Sequence, residues 1–237
     1  MAIDRFAEKY TSMNPYQYGA NNPIKFIDVN GDSIRIGDYT YIPGQSYEGD
    51  DSFTQAVVSG LNYLLEKDAD ETGVINFLAG DPENDLQIIK NTRENNPAYR
   101  LAEGKSFFIP TPEKGGLSTT DPTVVWDPSL MLSGDAEPKN NPTWNFFFGK
   151  KVKRSPIEVL LHELGHAKNY FSNSTQYYSD KNTPDNNFSS VEERKVINTV
   201  ENPAARALRP EYYRPRKSHS GRWVPAKSLN EVKYRYK

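Results

Sequence analysis

Cysteine is absent from all 237 residues, which excludes disulfides and thiolate metal ligands and leaves histidine and carboxylates as the ligands available. The absence is compatible with passage through more than one redox compartment. Long apolar runs are missing too. None approaches the roughly 20 residues of a membrane span, so no membrane-spanning segment is expected. Met1-Ala2-Ile3-Asp4-Arg5-Phe6 lacks the charged-then-apolar pattern of a classical signal peptide. No one charge dominates: Lys and Arg number 29 against 31 Asp and Glu, a net charge of -2, which implies neither nucleic acid nor membrane as a partner. Hydrophobic content is modest at 36%. The length nevertheless suits one domain, or one with an appendage, and can bury a substantial core.

Histidine is scarce, with three in the chain, and two of them fall in His162-Glu163-Leu164-Gly165-His166. This is an HExxH motif, the zinc site of many metallopeptidases. Helical residues four apart share a face, so His162 and His166 can reach one metal ion. Glu163, one position past the first ligand, can take a proton from a water at the metal and return it to the leaving amine. The context argues against an accidental match. Ser155-Pro156-Ile157-Glu158 reads as a capping box, with serine at N-cap, proline at N1 and glutamate at N3. Ile157, Leu160, Leu161, Leu164 and Phe171 then recur at helical spacing. Gly165 costs such a helix about 1 kcal/mol relative to alanine, which makes sense where backbone must pack closely against a neighbour.

Along the chain, residues 1 to 33 are rich in turn formers and aromatics, and a second unit begins near Ser33. Ser33 to Tyr41 alternates as a strand, or a hairpin through Gly37-Asp38. Asp51 to Lys67 reads as a helix with Phe53, Val57, Leu61 and Leu64 or Leu65 on one face. Val74 to Leu78, Leu86 to Ile89, Ser106 to Ile109 and Val124 to Trp126 are short apolar runs that read as strands. Asp127 to Arg154 reads as loop apart from Trp144 to Phe148, and Ser172 to Asn187 as a polar insertion. Strands first and helices later give an α+β class. Zinc peptidases with HExxH pack a small twisted sheet on the motif helix, and an extended substrate can add to its edge strand. Val124 to Trp126 is the expected edge.

A catalytic zinc needs a third protein ligand and an open fourth position. Ser189-Ser190-Val191-Glu192-Glu193 reads as a helix start. With Ser189 as N-cap, Glu192 closes a capping box and Glu193 is free to face the metal; with Ser190 as cap the roles swap. Glu193 is the preferred ligand, with Glu192 and then Glu201 as alternatives. Asn202-Pro203 reads as a helix restart, asparagine at N-cap and proline at N1.

Two resemblances sharpen this reading. Asn14, Pro15, Tyr16, Tyr18, Asn21, Asn22, Pro23, Asp28 and Gly31 resemble the segment that closes the core of Rhs/YD-repeat proteins, after which a variable toxin domain follows. His162 to Ala167, Glu192-Glu193, Glu201-Asn202 with Arg206 one position late, and Arg216-Lys217-Ser218-His219 resemble the NleD-like effector zinc proteases. The arrangement is also similar to gluzincins such as botulinum neurotoxin light chains, where the second acid of a Glu-Glu pair is the third ligand; this matches Glu193. The resemblances imply a zincin-like fold over residues 34 to 237 and a Zn2+ cofactor. They imply a secreted or delivered effector with a protein or peptide substrate, a cognate immunity protein and the Rhs shell of a parent protein as partners. Where such families often carry tyrosine this chain has His219, a potential donor to the oxyanion, with Arg216 adding charge. Tyr212 or Tyr213 are substitutes for that role.

From Arg206 to Lys237 the chain carries ten Lys or Arg and two acids, Glu211 and Glu231. A solvated terminal segment is expected. A nucleic-acid-directed toxin using this basic end, or a non-catalytic module stabilised by its metal, are the alternative functions.

Overall fold

The structure, a computed structural model, describes residues 34–80, 84–92, 105–110, 121–135, 151–219 and 221–230. The Rhs-like stretch within residues 1 to 33 and the run Trp144 to Phe148 lie outside them. Alternation of buried Ile34 and Ile36 with Arg35 builds β1 (Ile34–Ile36), which turns at Gly37 (φ +60°) into β2 (Tyr39–Thr40). Helix α1 (Ser52–Glu66) starts where the Asp51 carboxylate accepts the Thr54 N–H, and it buries Val57, Leu61 and Leu64 on the expected face. The next segment corrects the sequence reading. Val74 to Leu78 forms not a strand but helix α2 (Val74–Gly80), because Asp70 accepts the Val74 and Ile75 N–H groups at 2.7 and 2.8 Å. A five-residue apolar run fits either period, and the cap decides.

Strands β3 (Leu86–Lys90), β4 (Phe107–Ile109) and β5 (Thr123–Trp126) complete a mixed sheet of order β2-β1-β3-β5-β4. β1, β3 and β5 run parallel, whereas β4 is antiparallel to β5, with Phe108 opposite Val124. Val124 to Trp126 is therefore not the edge strand. All three residues are fully buried, as an unbroken apolar run in a parallel layer should be. The edge is β4.

The stretch expected to be loop holds two more strands, β6 (Leu130–Asp135) and β7 (Lys151–Arg154), which pair antiparallel. Helix α3 (Pro156–Ser172) follows and carries the HExxH motif. Its capping box is present, with Glu158 accepting from the Ser155 N–H and Oγ at 2.8 and 2.7 Å. Ile157, Leu160, Leu161 and Leu164 are fully buried in the core beneath the mixed sheet, and Trp126 Nε1 donates to the Pro156 carbonyl. The polar insertion becomes helix α4 (Ser174–Asn182), capped by Asn173, and the short hairpin β8 (Pro184–Asp185) and β9 (Ser189–Ser190). Helix α5 (Val191–Val196) runs through a π turn (Ile197–Glu201) into α6 (Asn202–Leu208). β10 (Gly221–Pro225) then joins β6, giving a second sheet of order β10-β6-β7. The mixed sheet, packed helices and α+β composition agree with a zincin-like fold. Among the described residues, no helix is long and apolar enough to cross a membrane.

Gly165 is where α3 meets the α5–α6 helix. A Cβ there would lie 3.0 Å from Val196 and 3.2 Å from Val200. Gly165→Val should destabilise the protein by about 1–3 kcal/mol through overpacking. Thermal melts would check this; an unchanged melting temperature would contradict the close contact.

Candidate active site

Helix α3 sets His162 and His166 one turn apart on one buried face, 6% exposed each. Their Nε2 atoms lie 3.2 Å apart. The Glu193 carboxylate closes a triangle, with Oε2 3.4 Å from His162 Nε2 and Oε1 3.5 Å from His166 Nε2. Donors about 2.0–2.1 Å from one ion at tetrahedral angles stand about 3.3 Å apart, so these separations fit a shared cation. His162, His166 and Glu193 are the group among the described residues whose ligand atoms converge in this way, all within 4.8 Å of one another.

The other ring nitrogens face carboxylates. His166 Nδ1 lies 3.0 Å from Glu192 Oε1, which Asn169 also holds at 2.9 Å. His162 Nδ1 lies 3.0 Å from Glu201 Oε2. The structure thus brings all three acids weighed from the sequence to the histidines, in different places. Ser190, not Ser189, is the N-cap of α5 and accepts the Glu193 N–H. The expected swap of roles does not follow. Glu192 is buried beneath α3 with Asn169, and the Glu193 side chain stands between the imidazoles.

Glu201 arrives by an unexpected route. The eight residues from Glu193 to Glu201 would leave them about 80° apart around a regular α-helix. The π turn, closed by the Asn202 N–H on the Ile197 carbonyl, winds more slowly and rotates Glu201 back toward the Glu193 face. Pro203 has no N–H and its ring opposes a regular i−4 contact, which favours a register change at this point. The sequence reading of a helix restart is corrected here. Asn202 is helical and its side chain caps nothing. Its Oδ1 instead accepts from Arg154 Nη2 and the Arg216 N–H at 2.8 and 2.7 Å, and its Nδ2 donates to the Arg216 carbonyl.

Arg154 and Arg216, 1% and 3% exposed, both hold Glu201. Arg154 Nε donates to Oε1 at 2.9 Å and Arg216 Nη1 to Oε2 at 2.7 Å. Arg216 Nη2 donates to the His219 carbonyl. The His219 ring lies with Nε2 3.3 Å from Glu193 Oε2 and Nδ1 3.3 Å from Ser189 Oγ. Residues 216 to 219 and 221 to 225 are therefore built into the site and the second sheet rather than forming a solvated tail. Tyr212, half exposed, and Tyr213 do not border the cleft.

The acids and imidazoles shift one another strongly. Burial alone would lower both histidines, yet Glu193 and Glu201 raise His162 to about 9, and Glu193 and Glu192 raise His166 to about 10. Burial works against the charged form of Glu193, but the two imidazoles hold it well below the ordinary carboxylate value. Glu163, 7% exposed, moves the opposite way: burial raises it, against the pull of the histidines and a hydrogen bond from the Phe108 backbone. Burial lowers His219 to about 4, so its ring is neutral near neutral pH.

These groups open into a cleft of about 360 Å³. Its remaining lining includes residues that sequence reasoning did not single out. Lys105, Phe107 and Phe108 come from β4 and the residues before it, and Tyr177 and Lys181 from α4. Leu132 and Trp223 come from the second sheet. The available sequence signal was the cap at Asn173, which marks a helix inside a segment otherwise read as insertion.

No curated protein and no solved structure matches the chain. The family profile of the M91 peptidases, described as effector protein, matches residues 44–212. That span carries the motif helix, both glutamates of α5, Glu201 and the mixed sheet from α1 onward, and the chain belongs to this family of effector peptidases.

Proposed function

We propose that this effector peptidase is a zinc-dependent metalloendopeptidase of the gluzincin type, with His162, His166 and Glu193 as metal ligands. The carrying observation is the triangle of donor atoms at 3.2, 3.4 and 3.5 Å. Carboxylates behind both imidazoles add support, since such partners fix ring orientation and raise ligand basicity. Zinc would supply Lewis acidity there, polarising the scissile carbonyl and lowering the pKa of a water toward about 7.

Glu163 is the general base. Burial shifts its carboxyl upward from the ordinary carboxylate value, the direction that strengthens a general base. In hydrolysis the water oxygen bonds the carbonyl carbon, the C–N bond breaks, and Glu163 carries the water's proton to the leaving nitrogen. The edge of β4, whose Phe108 N–H touches Glu163, is where an extended substrate strand would align. His219, neutral and at the cleft, is the hydrogen-bond donor to the developing oxyanion. Arg216 acts through others: its guanidinium is turned to Glu201 and the His219 carbonyl, which makes it a positioning residue. We further propose that the chain is a delivered toxin, from residue 34 onward, following an Rhs-type core, with an immunity protein in the producing cell.

The direct test is metal analysis with a protein-substrate assay. Purified protein should contain one zinc per chain, lose hydrolysis when a chelator strips the metal, and regain it on adding zinc. Full activity in the stripped protein would rule the proposal out.

A further inference from the structure

Resting on the peptidase reading, we infer that the cleft selects substrates with an acidic side chain beside the scissile bond, and that Lys105 and Lys181 are the residues that recognise it. Phe108 of β4 and Tyr177 of α4 meet edge to face, with ring centroids 6.0 Å apart, and Tyr177 is 3% exposed. The two lysines flank this contact. Lys105 lies three residues before Phe108, its carbonyl held by Asn91 Nδ2 at 2.6 Å. Lys181 lies one helical turn beyond Tyr177, with its Nζ 5.6 Å from the centre of the Tyr177 ring. Both line the cleft and both residues are exposed.

Among the described residues their charges have no carboxylate partner. The acids of the cleft are already engaged: Glu163 by the Phe108 backbone, Glu192 by His166 and Asn169, Glu201 by two arginines and His162, and Glu193 by the imidazoles. The part of the lining from the second sheet is different in kind. Leu132 and Trp223, cross-strand partners in the second sheet, are apolar. A peptide crossing the site thus meets a cationic, aromatic group and a separate apolar group. A carboxylate near the first gains Coulomb energy that a neutral side chain does not, and a lysine there is repelled.

The test measures binding, so that it does not require turnover. Zinc-loaded Glu163→Gln protein is titrated with labelled peptides of one length, each carrying Glu, Gln or Lys on both sides of a central leucine pair. The glutamate peptide should bind about tenfold tighter than the lysine peptide, and the gap should shrink in raised salt. Lys105→Glu and Lys181→Glu, at exposed positions, should each reduce the preference. Lys67→Glu, an equal charge change outside the cleft, should leave it intact. Equal binding of all three peptides, preference for lysine, no binding at all, or a preference surviving both cleft reversals would overturn the inference. Wild-type enzyme incubated with the same peptides separates the two readings. Cleavage without acid preference removes only the specificity; acid-selective binding with no cleavage of any peptide removes the peptidase.

Discussion

The Glu163→Gln protein should keep its zinc and lose hydrolysis by a factor of about 10²–10⁴, the range over which a positioned acid–base group acts. Glutamine matches glutamate in shape and can still accept the Phe108 N–H, so the fold around β4 is preserved. It does not touch the donor triangle of His162, His166 and Glu193. What it removes is the ability to take and return a proton. Burial raises the Glu163 carboxyl against the pull of two neighbouring histidines, and loss of the group should appear in kcat rather than in metal content. The comparison also separates an enzyme from a module that uses its metal only as a staple. In that case wild type and variant would bind zinc alike and neither would cut protein. Retention of wild-type turnover by Glu163→Gln would assign the base elsewhere in the cleft.

The motif helix was legible because several local rules coincide in one segment. Ser155, Pro156 and Glu158 mark its start, the leucines mark its buried face, and the two histidines fall one turn apart on it. Gly165, unfavourable by propensity, pointed to a close neighbour, and Val196 and Val200 are that neighbour. Other features depend on tertiary partners. Val74 to Leu78 carries no period long enough to separate strand from helix, and the Asp70 cap settles it. Val124 to Trp126 is apolar at every position, and only the pairing of β4 along its outer side shows which strand is the edge. The choice between Glu192 and Glu193 turns on which face of α5 Asn169 and His166 cover. Arg216 read as a charge for the oxyanion, because nothing in sequence shows that Glu201 and Asn202 wait for it fifteen and fourteen residues upstream.

That buried cluster yields the other large effect. Arg154 and Arg216 each take one oxygen of Glu201, which fixes the carboxylate while Oε2 also stands 3.0 Å from His162 Nδ1. Arg216→Met leaves Glu201 short of a partner in a site with almost no solvent, and breaking a buried pair in this way costs about 3–5 kcal/mol. Melts in the presence of chelator, which remove any contribution from metal, should show it. Glu201→Gln removes the charge itself. Arg154 then keeps Asn202, so the stability loss should be smaller, but His162 loses its anionic partner and zinc should bind about 10–100-fold more weakly. The double variant discriminates between the roles. Neutral glutamine no longer requires two cations, so Arg216→Met should cost less on the Glu201→Gln background than in the wild type, while zinc affinity stays low. Strict additivity of the two substitutions in stability would mean that Arg216 and Glu201 do not act as a unit. Wild-type zinc affinity in Glu201→Gln would detach the acid from His162, leaving Glu201 as an internal counter-ion for the arginines and nothing more.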